Sequence, residues 1–328
     1  MKKVLLFSSL KKPKLILEQS INSWINLKVE NELKFDILIY DDEFDEESSN
    51  YITALSEENK ITIADFDIDF EDNYKGDHKW NITQIDRISI IKNKAINYCL
   101  ENNYDALFLI DADLVLNTNT LSHLISLNKH FVFEVFWTLF YGENYHKPNA
   151  WDFHSWGYNN EETILKLSKK GTFKVGGGGA CTLLSREVLQ KGLNFKRLES
   201  LKYDGEDRHF CTRNQALGFE VFIDTHYPAY HIFNFDQVDE AREWYSNGAR
   251  SVFFDKWLNN QWKNKVIKSF TKKKDSGFLR LGVQQNENDY TFYYSPFLQA
   301  YFKILVDNKK TITEPQLIQF IIQNLERN

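Results

Sequence analysis

The stretch Tyr104-Asp105-Ala106-Leu107-Phe108-Leu109-Ile110-Asp111-Ala112-Asp113 places two carboxylates, two residues apart, directly after an apolar run of strand length. Carboxylates so spaced can grip a hard divalent cation and, through it, the phosphates of a nucleotide. In open α/β sheets the carboxyl ends of the strands are where ligands bind. Asp is also common in turns for its local hydrogen bonds, so the pair gains meaning only from what accompanies it.

The surrounding pattern supplies elements able to position such a pair. Residues 4–8, 35–40, 61–66 and 107–110 read as buried strands, and the apolar face Ile88, Ile91, Ala95, Ile96, Cys99 and Leu100 predicts a helix over 85–102. Strand, helix, strand in repetition implies a mostly parallel sheet covered on both faces. Further on, 118–127 reads as a short helix and 131–137 as an aromatic strand. Residues 140–158 are dense in Tyr, Trp, His and Gly without periodicity, as binding loops are. Four glycines at 176–179 lead towards a helix at 185–190, a second helix over 206–217 ends at Gly218, and 219–223 is a strand.

Composition bounds the answer. The chain has 328 residues, 42% hydrophobic and 26% charged, as expected of one large folded domain with an appendage. The N-terminus imitates a signal peptide, but its apolar run is short and lysines follow, so it reads as a first strand. No run approaches the roughly 20 apolar residues of a membrane span. Cys99, Cys181 and Cys211 are far apart, each in an expected helix or helix start, and read as reduced cytosolic thiols. The net charge of −6 is uneven: fourteen acidic residues lie in 41–77 and seven lysines in 256–274. That asymmetry argues against wholesale nucleic-acid binding.

Taken in order, several pieces resemble the GT-A glycosyltransferases and, within them, the large family-2-like group. Ile37-Leu38-Ile39-Tyr40-Asp41-Asp42, with Asp45 and Ser48 after it, looks like the family's strand ending in an Asp-Asp turn that contacts the nucleoside. Ile110-Asp111-Ala112-Asp113 resembles its metal-binding Asp-x-Asp. Gly176 onwards, into Ser185-Arg186-Glu187-Val188-Leu189, is similar to its glycine-containing loop. Gly205-Glu206-Asp207-Arg208-His209-Phe210, then Arg213, Gly218, Asp224 and His231, is the most telling piece. The resemblance covers roughly residues 1–235. One departure is Ile91-Lys92-Asn93 where many relatives carry Ala-Arg-Asn; Arg87 stands one turn upstream, leaving open which cation meets the donor.

The resemblance implies an α/β GT-A fold, Rossmann-like with a mostly parallel sheet flanked by helices, and a small C-terminal α+β or helical appendage. It implies a metal-dependent transferase moving a hexosyl or N-acetylhexosaminyl unit from a nucleotide-diphosphate sugar, UDP-linked before GDP-linked, to an acceptor hydroxyl with inversion. The donor would meet Ser8, Ser9, Asp41, Asp42, Arg87, Lys92, Asp111, Gly177 and Gly178. Asp111, Asp113 and His231 would hold Mn²⁺ or Mg²⁺, since imidazole beside carboxylate oxygens suits either ion. Asp207 would be the base, kept ionised by a positive helix N-terminus, with Glu206 as runner-up or cap.

Each residue has a plainer reading. His231 could be a buried histidine satisfied by backbone, and Glu206 and Asp207 could simply compensate a helix dipole. The glycines, which let backbone amides approach a sugar or phosphate, could equally form a linker. Trp137, Tyr141, Trp151, Trp156 and Tyr158 could face sugar rings, with Asp152 or His154 bonding hydroxyls, or belong to the core. Two other functions remain open: a haloacid-dehalogenase-like phosphohydrolase with Asp111 as nucleophile, and a non-catalytic sugar-nucleotide-binding protein.

The expected organisation is a transferase domain over 1–245 and an accessory region over 246–328 for acceptor recognition, membrane-surface contact or oligomerisation. The acceptor could be a glycan, a lipid-linked group, a peptide or a small molecule. The basic amphipathic segment 256–274 could touch an anionic membrane from a cytoplasmic position, although a helix packed on the main domain explains it as well. Residues 317–325, preceded by a Thr313–Gln316 capping box, predict a terminal helix.

Overall fold

A computed structural model of the chain describes residues 2–68, 82–138, 147–151, 166–167, 169–199, 201, 205–246, 280–285 and 288–293. The expected segments 140–146, 152–158, 256–274 and 317–325 lie outside these, as does the boundary at 247–248.

The chain opens with β1 (Lys2–Leu10), α1 (Lys14–Ile25), β2 (Leu33–Asp41), α2 (Glu46–Glu57) and β3 (Thr62–Ile63). It continues with α3 (Ile82–Glu101), β4 (Ala106–Leu109), β5 (Leu114–Val115), α4 (Thr120–Ser126) and β6 (Phe131–Thr138). Short strands β7 (Lys147–Pro148), β8 (Ala150–Trp151), β9 (Thr172–Val175) and β10 (Gly177–Gly178) precede β11 (Thr182–Ser185) and α5 (Arg186–Gln190). Then come α6 (Glu206–Ala216), β12 (Val221–His231) and α7 (Val238–Ser246). In the C-terminal region, β13 (Arg280–Gln285) and β14 (Asn288–Tyr293) pair antiparallel as a hairpin.

The central ten-stranded sheet runs β3-β2-β1-β4-β11-β6-β12-β5, with β7 beside β6 and β9 beside β12. Strands β1, β2, β3 and β4 are parallel, as are β6 and β12. β11 enters antiparallel between β4 and β6. The result is the expected mixed α/β architecture, a mainly parallel sheet with helices on both faces. Side chains alternate across the strands and so build two cores. Leu5, Phe7, Leu107, Leu109, Phe133 and Val135 pack with Ile91, Ala95 and Cys99 of α3 and Phe210 of α6. Val4, Leu6, Phe108, Ile110 and Val132 pack on the other face with Leu17, Ile21 and Trp24 of α1 and Leu121 and Leu124 of α4.

Several boundaries differ from expectation for physical reasons. The third strand keeps only Thr62–Ile63, because an edge strand is paired on one side alone. β12 extends eight residues past Ile223, through a register shift between Asp224 and Ala229, and so carries His231 within the strand. Cys181 is not helical. It follows Ala180 in a left-handed turn, with φ of 54° and 47° for the two residues, ahead of β11. All three cysteines are buried and free. Among the described residues no helix is long and apolar enough to cross a membrane.

Candidate active site

The segment 111–114 is latched onto α1 from behind. Ser20 Oγ donates to the Ala112 carbonyl at 2.7 Å, and Trp24 Nε1 donates to the Leu114 carbonyl at 2.9 Å. Buried backbone carbonyls need such partners, so α1 fixes where the carboxylates emerge. On the other side β5 pairs with β12, setting His231 opposite Leu114, and the Ile232 amide donates to the Asp113 carbonyl at 2.9 Å. Three elements distant in sequence thus meet at one sheet edge.

His231 Nε2 stands 3.4 Å from Asp113 Oδ1, and His231 Nδ1 lies 2.9 Å from Thr138 Oγ1 at the end of β6. Thr138 thus steadies the ring with its other nitrogen turned towards Asp113, the kind of support common around metal-binding histidines. The second Asp113 oxygen is 2.7 Å from Lys12 Nζ. Burial pushes the Asp113 carboxyl up, but Lys12 and His231 more than offset it and hold the group below the usual carboxylate range. A carboxylate kept charged beside an oriented imidazole is a donor set that Mn²⁺ or Mg²⁺ can use, so these residues fit the metal that the resemblance implied. Asp111, two residues earlier, is exposed to solvent on the same turn. Lys12 belongs to this site although no motif marks it.

Glu206 and Asp207 open α6. Lys92 of α3 reaches across to them, with Nζ 2.7 Å from Glu206 Oε1 and 3.8 Å from Asp207 Oδ1. Burial pulls the Lys92 ammonium down, but Glu206, Asp207 and Asp111 outweigh it and hold it above its usual value. Asp207 departs from expectation. Burial, only partly relieved by Lys92 and reinforced by Glu206, raises its carboxyl well above the ordinary range, outweighing any pull of the helix N-terminus towards ionisation. Glu206 is more covered and bound to Lys92; Asp207 keeps about a third of its side chain, 32%, open to solvent.

Arg87 lies elsewhere. Its guanidinium forks onto both oxygens of Asp42, with Lys11 Nζ 3.9 Å from the same carboxylate. Asp41 accepts from the Glu43 amide at 3.0 Å, and Asp45 caps α2 by accepting from the Ser48 amide at 2.7 Å, so both shape the turn after β2. Tyr40 stacks on Phe66, ring centroids 5.9 Å apart, which gives this end of the sheet a flat aromatic shelf.

Other expected residues are used differently. Ser8 shares the face of Leu6 and Leu10 and is 1% exposed, so a donor at this edge could reach Ser9 but not Ser8. Gly177 and Gly178 are buried in β10, paired with β8. A Cβ on Gly177 would lie 2.3 Å from the Trp151 ring, and one on Gly178 2.0 Å from Phe133. Their missing side chains make room for the protein's own rings, and burial denies them the donor contact expected of them. Trp137 and Trp151 likewise belong to the core.

A second cluster carried no motif beyond Asp224. His123 of α4 and Asp224 and His226 of β12 converge on the opposite face of the sheet, beside the fully buried Glu134 of β6.

No protein-family model matches the chain, and no curated protein matches it either. Among solved structures it is similar to S. aureus TarS 1-349 in complex with UDP, at 13% identity and a TM-score of 0.45, over 74% of this chain and 64% of that one. It is similar also to a mannosyltransferase from Pyrobaculum calidifontis in complex with GDP-Man and Mn²⁺, at 11% identity and a TM-score of 0.42, over 83% and 65%. The chain spans less than two thirds of the length of these structures.

Proposed function

We propose that this chain is a metal-dependent GT-A glycosyltransferase that moves a hexosyl or N-acetylhexosaminyl unit from a nucleotide-diphosphate sugar, UDP-linked before GDP-linked, to an acceptor hydroxyl with inversion. The observation that carries this reading is the meeting of Asp113 and His231, 3.4 Å apart, at the carboxyl edge of the parallel strands. Asp113, His231 and Asp111 would hold Mn²⁺ or Mg²⁺, which when bound supplies positive charge for the diphosphate. Lys12 would add to that charge from the chain itself.

The acceptor oxygen bonds to the anomeric carbon as the bond from that carbon to the diphosphate oxygen breaks, its electron pair leaving with the diphosphate. The acceptor proton passes to Asp207. A carboxyl raised above the usual range is a stronger base once ionised, which suits this task. Lys92, pinned by Glu206, positions Asp207 and limits how far its affinity for protons climbs. Asp42, Arg87 and the Tyr40–Phe66 shelf stand at the neighbouring strand end, where a nucleoside would lie.

The test is calorimetric titration with UDP-, GDP- and CDP-sugars, each with and without Mn²⁺. Metal-dependent binding of one nucleotide class, lost in Asp113→Ala, is the expected result. No binding to any member, or phosphate release from simple phosphomonoesters, overturns it.

A further inference from the structure

We propose a second metal site, independent of the transferase reading, in which His123, Asp224 and His226 hold a zinc-class divalent ion on the face of the sheet away from Asp207. Along β6 and β12, Glu134 and Asp224 alternate with Phe133, Val135 and Ile223. Those apolar neighbours pack towards α3 and α6, so the two carboxyls point to the α4 side. One ligand atom from each of His123, Asp224 and His226 lies within 4.8 Å of the others, close enough to share an ion.

The details fit ligation better than a plain ion pair. His123 Nε2 is buried and 3.2 Å from Asp224 Oδ1, yet it meets no hydrogen-bond geometry, so its lone pair or proton is not spent on that oxygen. His226 Nδ1 lies 2.9 Å from Asp224 Oδ2. Asp224 is held in place by the Thr172 hydroxyl at 2.7 Å and the His226 amide at 2.9 Å, the kind of support that orients ligating carboxylates. The two imidazoles lie side by side, tilted 56° to each other with centroids 4.6 Å apart. Two imidazoles and one carboxylate favour zinc or a similar borderline ion over Mg²⁺, with water available as a fourth ligand. The ion would tie α4 to the irregular stretch of β12 between Asp224 and Ala229, which leads directly into His231.

The test uses the full chain carrying His231→Ala, which removes the imidazole of the other site, so failure of the transferase reading leaves this result intact. After exposure to Zn²⁺ and dialysis, stoichiometric zinc is expected by elemental mass spectrometry, with a rise in Tm over the EDTA-treated chain. Adding His123→Gln or His226→Gln should abolish both. If the His123 variant fails to fold, the half-exposed His226 variant carries the test through Co²⁺ absorption, which should change with the loss of an imidazole. No retained zinc, or zinc and Co²⁺ spectra indifferent to these substitutions, overturns the proposal.

Discussion

Gly179 is packed directly against the Asp207 carboxylate: a Cβ on Gly179 would lie 1.7 Å from Asp207 Oδ2. The last residue of the glycine run therefore shapes the seat of the candidate base. α6 is bound to the same run by Cys211 Sγ, which donates to the Gly178 carbonyl at 3.2 Å, and by Gln215 Nε2, which donates to the Gly176 carbonyl at 2.7 Å. With α6 tethered on both sides, an added methyl must be absorbed by the carboxylate. Gly179→Ala is expected to lower turnover by about 10² while donor affinity changes little, because small misplacements of a reacting group cost rate more than binding. Steady-state kinetics with calorimetric donor binding checks this; unchanged turnover would show that Asp207 need not hold its seat.

Asp207→Asn should cut turnover by about 10² to 10⁴ and at the same time raise Tm at neutral pH. The sign follows from linkage. The folded carboxyl binds protons more tightly than the unfolded one, so stability is lost as pH rises above the unfolded value, and a neutral amide removes that loss. Turnover of the unsubstituted chain should rise with pH as Asp207 ionises. Lys92→Met should move that limb to higher pH, since Lys92 opposes the upward shift. Thermal melts and pH–rate profiles of the two variants supply the check.

Lys12 stands 2.7 Å from an Asp113 oxygen, so a divalent ion must share that carboxylate with an ammonium. Lys12→Met is expected to tighten Mn²⁺ binding without nucleotide, by removing a like charge. It should weaken binding of nucleoside diphosphate in the presence of Mn²⁺, by removing a cation from the phosphates. Opposite shifts in the two titrations are the signature; parallel shifts would place Lys12 outside the site.

Much of the arrangement is legible in the sequence because it rests on local pattern. The apolar runs ending at Tyr40 and Ile110 announce buried parallel strands, and the face of Ile91, Ala95 and Cys99 announces α3. What joins them is not local. Nothing near Lys12 in the chain says that it faces Asp113 across the strand ends, and nothing near His123 says that α4 lays it against β12. The glycines mislead for the same reason: absent side chains signal close approach, but only packing tells whether a ligand or Trp151 and Phe133 approaches. The reach of Lys92 to Glu206, 114 residues away, and that of Arg87 to Asp42 put the two cations in different places, a separation no spacing announces.

Thr138 offers the most selective probe of His231. Its hydroxyl meets the far nitrogen of the imidazole, at 2.9 Å, on the side away from the nitrogen that faces Asp113. Thr138→Val preserves shape but removes the partner that fixes the ring's tautomer and orientation. If His231 ligates the ion, metal affinity should fall by about 10-fold to 100-fold, the usual consequence of losing such support. Thr138→Ser, which keeps the hydroxyl, should restore most of it. If His231 is merely a buried histidine, Thr138→Val lowers Tm and leaves Mn²⁺ affinity untouched. Measuring both quantities on the two variants separates a ligand from a filler, because the serine rescue acts on affinity only when the imidazole serves the metal.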